Sequence, residues 1–232
     1  MNIEYAKNEC DVAILPIGAI EQHGLHCPCG SDTLNAIGIA ERVGEKTGAM
    51  VLPSPMYGSH PYMHWGMKGT IPLKYETHIV MLEDIVRGTA VAGYNKFIII
   101  SAHGKVSSTI VEVHKLGLEG TLSSTWYDFL RDNKNVLDDY MWHADEATVA
   151  GSMYHFEGTF ALMEKDDVEK GEKLVSTAAG HCCELINEIK EKYPYGINLL
   201  GFRNPDSYSG IYNIEYDKDH DEKGQLLKNR TL

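Results

Sequence analysis

At 232 residues, with 43% hydrophobic and 23% charged side chains, the chain is long enough to bury a substantial core and has an ordinary globular balance. Its formal net charge of −12 and pI near 5.3 argue against nucleic acid or an anionic membrane as a main partner, because phosphate binding needs clustered Lys and Arg. No basic segment leads into an apolar stretch at the N-terminus, no apolar run reaches the ~18 residues of a membrane span, and five cysteines, including adjacent Cys182 and Cys183, do not suit a secreted disulfide framework; the expected setting is a reducing cytoplasm.

Residues 11–17 (DVAILPI) are the first expected strand, an apolar run of the kind buried in parallel sheets. The stretch PIGAIEQHGLHCPCGSD over 16–32 then forms a Gly-punctuated loop carrying Glu21, His23, His26 and Asp32. Asp32 stands where a helix N-cap belongs. Leu34, Ile37, Ala40 and Val43 predict a helix over 33–46, stopped by Gly48, and a short strand follows over 49–52. Residues 53–70 (PSPMYGSHPYMHWGMKGT) are a long loop, and loops of this length in a compact domain are functional or disordered. The many large side chains here argue for order. A second helix is expected over 75–92, with Ile79, Leu82, Ile85, Val86 and Thr89 on one face, ended by Gly93 and Asn95.

Residues 96–100 (KFIII) carry the strongest strand signal and run into Ser101-Ala102-His103-Gly104. A third helix is expected over 107–118, a strand-like piece (SSTWYDFL) within 121–130, a loop over 138–145 and a helix starting near Glu146. A long helix over 166–192 has Val168, Leu174, Val175, Ala178, Cys182, Leu185 and Ile189 apolar. From about residue 196 the periodic signals fade into an irregular arm suited to oligomer contacts, with a solvated charge run over 217–223. The recurrence of strand, loop and helix implies a three-layer α/β/α sandwich with a mainly parallel central sheet and right-handed crossovers, in one domain over 1–232.

Two of the strands end in histidine-bearing loops, at His23 and His103, and parallel strands point their carboxyl ends to one edge of the sheet, where ligands of open α/β sheets bind. Glu21 and His23, two apart in an extended segment, face the same side. With Asp32, His103 and Glu146 they make a set of two imidazoles and three carboxylates that suits Zn²⁺, Mn²⁺ or Fe²⁺. If all five ligate, two divalent ions leave a single positive charge, which suits a bridging hydroxide and a developing oxyanion, whereas one ion leaves the site net negative. Taken singly, each residue has a structural reading: Asp32 as a cap, a strand-end histidine as a hydrogen-bonded support, Glu146 as a partner of a helix dipole. Cys27 and Cys29 are read as partly buried free thiols, because structural zinc wants four ligands, often paired at longer spacing. The loop lacks the dinucleotide G-x-G-x-x-G, and the chain has no G-x-S-x-G elbow.

ILPIGAIEQHGLHCPCGSDT resembles the first signature of the creatininase (creatinine amidohydrolase) family, a strand followed by P-x-G-s-x-E-x-H-G-x-H-x-P-x-x-x-D. Ser101-Ala102-His103-Gly104 sits where that family has N-G-H-G, His143-Ala144-Asp145-Glu146 resembles its H-A-G-E segment, Gly69-Thr70 its G-T turn, and VEKGEKL over 168–174 its late helix. The resemblance implies a creatininase-like α/β fold, two divalent metals per chain, a homo-oligomer, often a hexamer, and hydrolysis of a cyclic amide or another C–N bond. By position it implies that Glu21 binds one metal and His23 the other, with Asp32 bridging and His103 a further ligand. The family's glutamate two residues after that histidine is here Lys105, which cannot ligate, so the carboxylate is expected from Glu146. The creatinine-pocket tryptophan and aspartate fall near Asp139 and Tyr140, and Thr148-Val149-Ala150 replaces the usual E-T-S. Residues 57–70 and His143–Glu146 look more like the 3-dehydro-scyllo-inosose hydrolase branch, which opens a cyclic diketone.

The expectation is a metal-dependent hydrolase of a small cyclic molecule, with His143 as the proton carrier and with Ser59, His60, His64, Trp65 and Lys105 lining the substrate pocket. An alternative of another class is a non-catalytic binding scaffold, motivated by Lys105, by Ser101 in place of asparagine and by the lost E-T-S. A peptide hydrolase is a third reading, and it requires an open, acid-lined groove.

Overall fold

The sheet of the protein, in a computed structural model, is parallel throughout its described strands. The structure describes residues 3–24, 27–60, 64–94, 96–103, 121–125 and 165–192. In chain order the elements are α1 (Ile3–Glu9), β1 (Val12–Ile17), α2 (Ser31–Thr47), β2 (Met50–Val51), α3 (Tyr75–Val91), β3 (Lys96–Ser101), β4 (Thr121–Thr125) and α4 (Lys165–Lys192). The sheet order is β2-β1-β3-β4. From β1 the chain moves outward to β2 on one side, then returns to β3 on the other. The β1/β3 junction is therefore the point at which the strand order reverses, and ligand crevices of open α/β sheets lie at such points.

β1 and β3 are buried along their whole length, as their unbroken apolar runs require. Their side chains alternate between two cores. Val12 and Ile14 of β1, with Ile98 and Ile100 of β3, pack against Ala36, Ile39, Ala40 and Val43 of α2 and Leu174, Ala178, Cys182 and Ile186 of α4. Ala13, Leu15 and Ile17, with Phe97 and Ile99, face Leu82 and Val86 of α3. Helices thus cover both faces, the three-layer arrangement expected from the alternating elements. Lys96 is 2% exposed at the start of β3 and is held by Asp11 at 2.6 Å. That ion pair ties the amino ends of β1 and β3 together, and the opposite edge is left for the site.

The structure departs from the sequence reading at several ends. Asp32 is not the N-cap of α2: the helix starts at Ser31 and Gly30 caps it, with no side-chain cap bond. Asp32 lies instead in the first turn, where a carboxylate is also favoured by the helix dipole. Gly48 ends α2 in the left-handed conformation (φ 74°) that glycine adopts without steric cost. α1 was not expected, being a seven-residue helix too short to show a period. β4 is TLSST, which overlaps the expected SSTWYDFL at residues 123–125, the rest of that piece lying outside the described residues, and its backbone continues the β3 register from Phe97↔Thr121 to Ser101↔Thr125. α4 buries Ala179 and Ile186 besides Leu174, Val175, Ala178, Cys182 and Ile189, while Val168 and Leu185 are only half-buried. The helix expected over 107–118, the loop over 138–145, the helix near Glu146 and the arm from about 196 with its charge run lie outside the described residues. Among those residues, no helix is long and apolar enough to cross a membrane.

Candidate metal centre

The site is built where β1 and β3 end side by side, with Ile17 in register with Ser101. Glu21 and His23 follow the first strand, and His103 follows the second by two residues. Gly18 sets the approach of α2. A Cβ there would lie 2.3 Å from the Thr33 nitrogen and 2.7 Å from the Asp32 carbonyl carbon, so only glycine lets the helix start touch the strand end. The intervening loop is tied by backbone bonds from Glu21 N–H to the Cys29 carbonyl (2.7 Å) and from Ile71 N–H to the Ile20 carbonyl (2.9 Å). Gln22 N–H donates to the Thr70 hydroxyl at 3.2 Å. The turn at Gly69 and Thr70 thus anchors the long loop beside Glu21. Cys27 and Cys29 are free and half-buried, as expected.

Glu21, His23, Asp32 and His103 converge, and each is nearly excluded from solvent. His23 Nδ1 lies 3.0 Å from the backbone carbonyl of Glu21. A carbonyl only accepts, so Nδ1 carries the proton and Nε2 faces Asp32 Oδ1 at 3.1 Å. His103 repeats the arrangement with its nitrogens exchanged. Nε2 is 3.2 Å from the Ser59 carbonyl, and Nδ1 faces Glu21 Oε2 at 3.1 Å and Asp32 Oδ2 at 3.0 Å. Each ring therefore has one nitrogen held by a backbone carbonyl and the other turned to carboxylate. A neutral imidazole would set a lone pair against carboxylate oxygens, which needs a proton or a cation between them.

The electrostatics express the same need. Burial alone would lower the pKa of His103, but the hydrogen bonds and charges of Asp32 and Glu21 outweigh it and push it up to about 10. His23 is raised in the same way, burial being overcome mainly by Asp32. Burial would raise Asp32, yet His103 and His23 hold its carboxyl below the ordinary value. Buried carboxylates persist when paired or bound to a cation, and imidazole nitrogens with carboxylate oxygens are the donor types that take zinc, manganese or iron. The residues present therefore fit divalent metals. Donor atoms from Glu21, His23 and Asp32 lie within 4.8 Å of one another, as do those from Glu21, His60 and His103.

The long loop supplies further imidazoles. His64 Nδ1 lies 2.6 Å from Glu21 Oε1, and its side chain is 22% exposed, on the open side of the cluster. The His60 ring stands edge-on to His103 with centroids 4.8 Å apart. Burial and the neighbouring His103 lower its pKa to about 4, so it stays neutral. Trp65 is 41% exposed. Ser59 is buried; its carbonyl meets His103, and its N–H and hydroxyl lie 3.2 Å and 3.1 Å from His78 Nδ1. His78 was not anticipated, and Ser101 stands out in the sequence only as a replacement for asparagine. His78 reads as one more residue of an α3 pattern, and Ser101, whose hydroxyl bonds the N–H and carbonyl of His103, reads as the last residue of a strand. Lys105, His143 and Glu146 lie outside the described residues, as does His26.

A parallel α/β sheet with a buried imidazole–carboxylate cluster at its switch point defines an α/β protein with a metal-type centre. The chain belongs to the creatininase family: the family model for creatinine amidohydrolase matches residues 1–160. It is 32% identical to a 3-dehydro-scyllo-inosose hydrolase of Thermotoga maritima over 64% of this chain and 51% of that one. It is 31% identical to a creatinine amidohydrolase of Pseudomonas putida over 64% and 57%. The chain thus spans about half the length of these curated relatives. Two creatininase structures, a mutant of Zn-Zn type and an Mn form, share its fold with a TM-score of 0.69. Each is covered over 95% by 82% of this chain, at 22% and 21% identity respectively.

Proposed function

We propose that the protein is a metal-dependent hydrolase that uses two divalent ions to open a small cyclic substrate at a C–N bond. One observation carries the reading: the two oxygens of Asp32 are each turned to a different histidine, and each histidine is locked by a backbone carbonyl. A carboxylate so placed can bridge two ions, and carbonyl-oriented imidazoles are the usual support of metal ligands.

In this reading Glu21 and His103 hold one ion, His23 the other, and Asp32 both. Zn²⁺, Mn²⁺ or Fe²⁺ would lower the pKa of a bound water towards ~7 and polarise a substrate carbonyl. His64, at the open side and bonded to Glu21, is placed to accept a proton from the attacking water and return it to the leaving group. Trp65 offers the exposed aromatic surface of the same loop to a ring substrate. Glu146 as a further carboxylate ligand, His143 as a second proton carrier, Lys105 at the pocket and a hexameric assembly belong to the proposal on the sequence resemblance alone, and a cytoplasmic setting on the cysteine usage.

A second reading, hydrolytic opening of an inosose-type cyclic diketone, is supported by the Thermotoga maritima relative and by the histidine-rich loop over residues 57–70. Both chemistries need hydroxide attack on a polarised carbonyl. The test is turnover by Zn²⁺- and Mn²⁺-loaded protein on parallel panels of cyclic amides, creatinine included, and inosose-type ketones. Hydrolysis confined to the ketones selects the second reading. Metal retention with no turnover on either panel overturns the hydrolase and leaves a binding scaffold.

A further inference from the structure

Four side chains account for the two carbonyl-held rings and the carboxylates between them, and His60 is left over. Both of its ring nitrogens are buried and, among the described residues, neither has a hydrogen-bond partner. A neutral imidazole has one N–H to donate and one lone pair to fill, so leaving both unmade is costly. His60 also sits in a place where a pocket wall would not need a histidine. Its neighbour Ser59 is fastened to His103 through its carbonyl and to His78 through its N–H. The segment is pinned further by the Leu73 N–H bonded to the Gly58 carbonyl at 2.9 Å. Gly58 lies so close to the strand end that a Cβ there would be 2.6 Å from the Gly18 carbonyl. The loop is thereby clamped against the start of the catalytic segment on one side of His60, and the ring is carried to the cluster by anchored backbone.

We infer that His60 is a metal ligand, completing with Glu21 and His103 the coordination of the ion on the β3 side. The proposal rests on the dinuclear reading above and extends it. One donor atom from each of the three residues falls within 4.8 Å of the others. That makes three protein donors, two nitrogens and one oxygen, and Asp32 Oδ2 faces His103 Nδ1 at 3.0 Å. The position beside His23 is likewise offered three, by Glu21, His23 and Asp32, so without His60 the β3-side position would be one donor short of its neighbour. His64, by contrast, already donates its Nδ1–H to Glu21 Oε1 and needs no metal to explain its place.

The test is made on the full chain loaded with Co²⁺, whose ligating imidazoles give strongly shifted exchangeable ring-proton resonances. His60→Ala is expected to lose one such resonance and to release the β3-side ion at least about 100-fold more readily in chelator competition, beyond the usual cost of losing a supporting partner. His60→Cys supplies a second, independent readout, because thiolate ligation adds a sulfur-to-cobalt charge-transfer band in the near ultraviolet that the unchanged protein lacks. Gain of that band supports the assignment even if the alanine variant folds poorly. An unchanged set of shifted resonances in His60→Ala, or a folded His60→Cys without the new band, overturns it and returns His60 to the pocket wall. If the unchanged protein binds Co²⁺ without any shifted imidazole resonance, the dinuclear reading itself falls, an outcome distinct from loss of the His60 assignment alone.

Discussion

Replacing Gly18 by alanine tests the geometry that brings Asp32 to the centre. The added methyl would lie 2.3 Å from the Thr33 nitrogen, 2.5 Å from its Cα and 2.7 Å from the Asp32 carbonyl carbon. All three are backbone atoms, so no side chain can swing aside. Ordinary contact begins at 3.4 Å, and the α2 start must therefore retreat by about 1 Å. Asp32 moves with it, and its oxygens leave the 3.1 Å and 3.0 Å positions opposite His23 and His103. Metal–oxygen bonds tolerate only about 0.2 Å, and misplacement of a reacting group by about 1 Å costs on the order of 100-fold. Gly18→Ala should weaken Zn²⁺ binding by about that factor in chelator competition, while overpacking lowers stability by only ~1–3 kcal/mol. Gly88→Ala on α3, whose Cβ would meet nothing within 4 Å, is the control. It should leave metal binding unchanged and raise stability by up to ~1 kcal/mol through helix propensity. A folded Gly18→Ala protein with unchanged Zn²⁺ affinity would refute the reasoning.

Metal should compete with protons at the histidines. The metal-free His103 pKa is raised from 6.5 to about 10, so the ring is charged at neutral pH and must lose its proton to ligate. Affinity should therefore climb about tenfold per pH unit per displaced proton between ~6.5 and ~10, and calorimetry near pH 8 in buffers of different ionisation enthalpy should show about one proton released at His103; no release there would contradict the electrostatics. By the same sign, the stability that His103 lends the metal-free protein is fully present below 6.5 and is lost as pH rises through about 10. In the core, Ile98→Ala should cost ~2–5 kcal/mol in denaturant unfolding, because Ile98 is fully buried between β3 and the α2–α4 layer. A loss below ~1 kcal/mol would mean that this layer is not packed as described.

The layers and the convergence of Glu21, His23 and His103 were readable from the sequence for one physical reason: both depend on short-range pattern. The runs VAILPI and KFIIIS can only be buried strands, and a strand of a parallel sheet delivers whatever follows it to one edge. Glu21, His23 and His103 each follow such a run within a few residues. Asp32 was legible as important, but its spacing before an apolar helix suggests a cap; that Gly30 caps and Asp32 faces the cluster depends on the close contact of Gly18 with Thr33, which no local pattern records. The loop over residues 53–70 shows the limit more sharply. It has no period, so its fold is set by long-range bonds such as Gln22 N–H to Thr70 and His103 to the Ser59 carbonyl. His60, His64, Ser59 and Trp65 could be assigned to the site's neighbourhood, whereas the contacts of His64 with Glu21 and of His60 with His103 could not. His78 was invisible because one more polar residue on a helix of mixed polar and apolar residues gives no sign of what it will meet.

The dinuclear centre is tested most directly by metal content per chain after loading with Zn²⁺ and desalting, measured by elemental mass spectrometry on the unchanged protein and on Asp32→Ala. The account predicts about two ions per chain in the first and loss of both in the second, because Asp32 is the carboxylate shared between the two histidines. An unchanged protein that retains no metal, or an Asp32→Ala protein that keeps two ions, would contradict it.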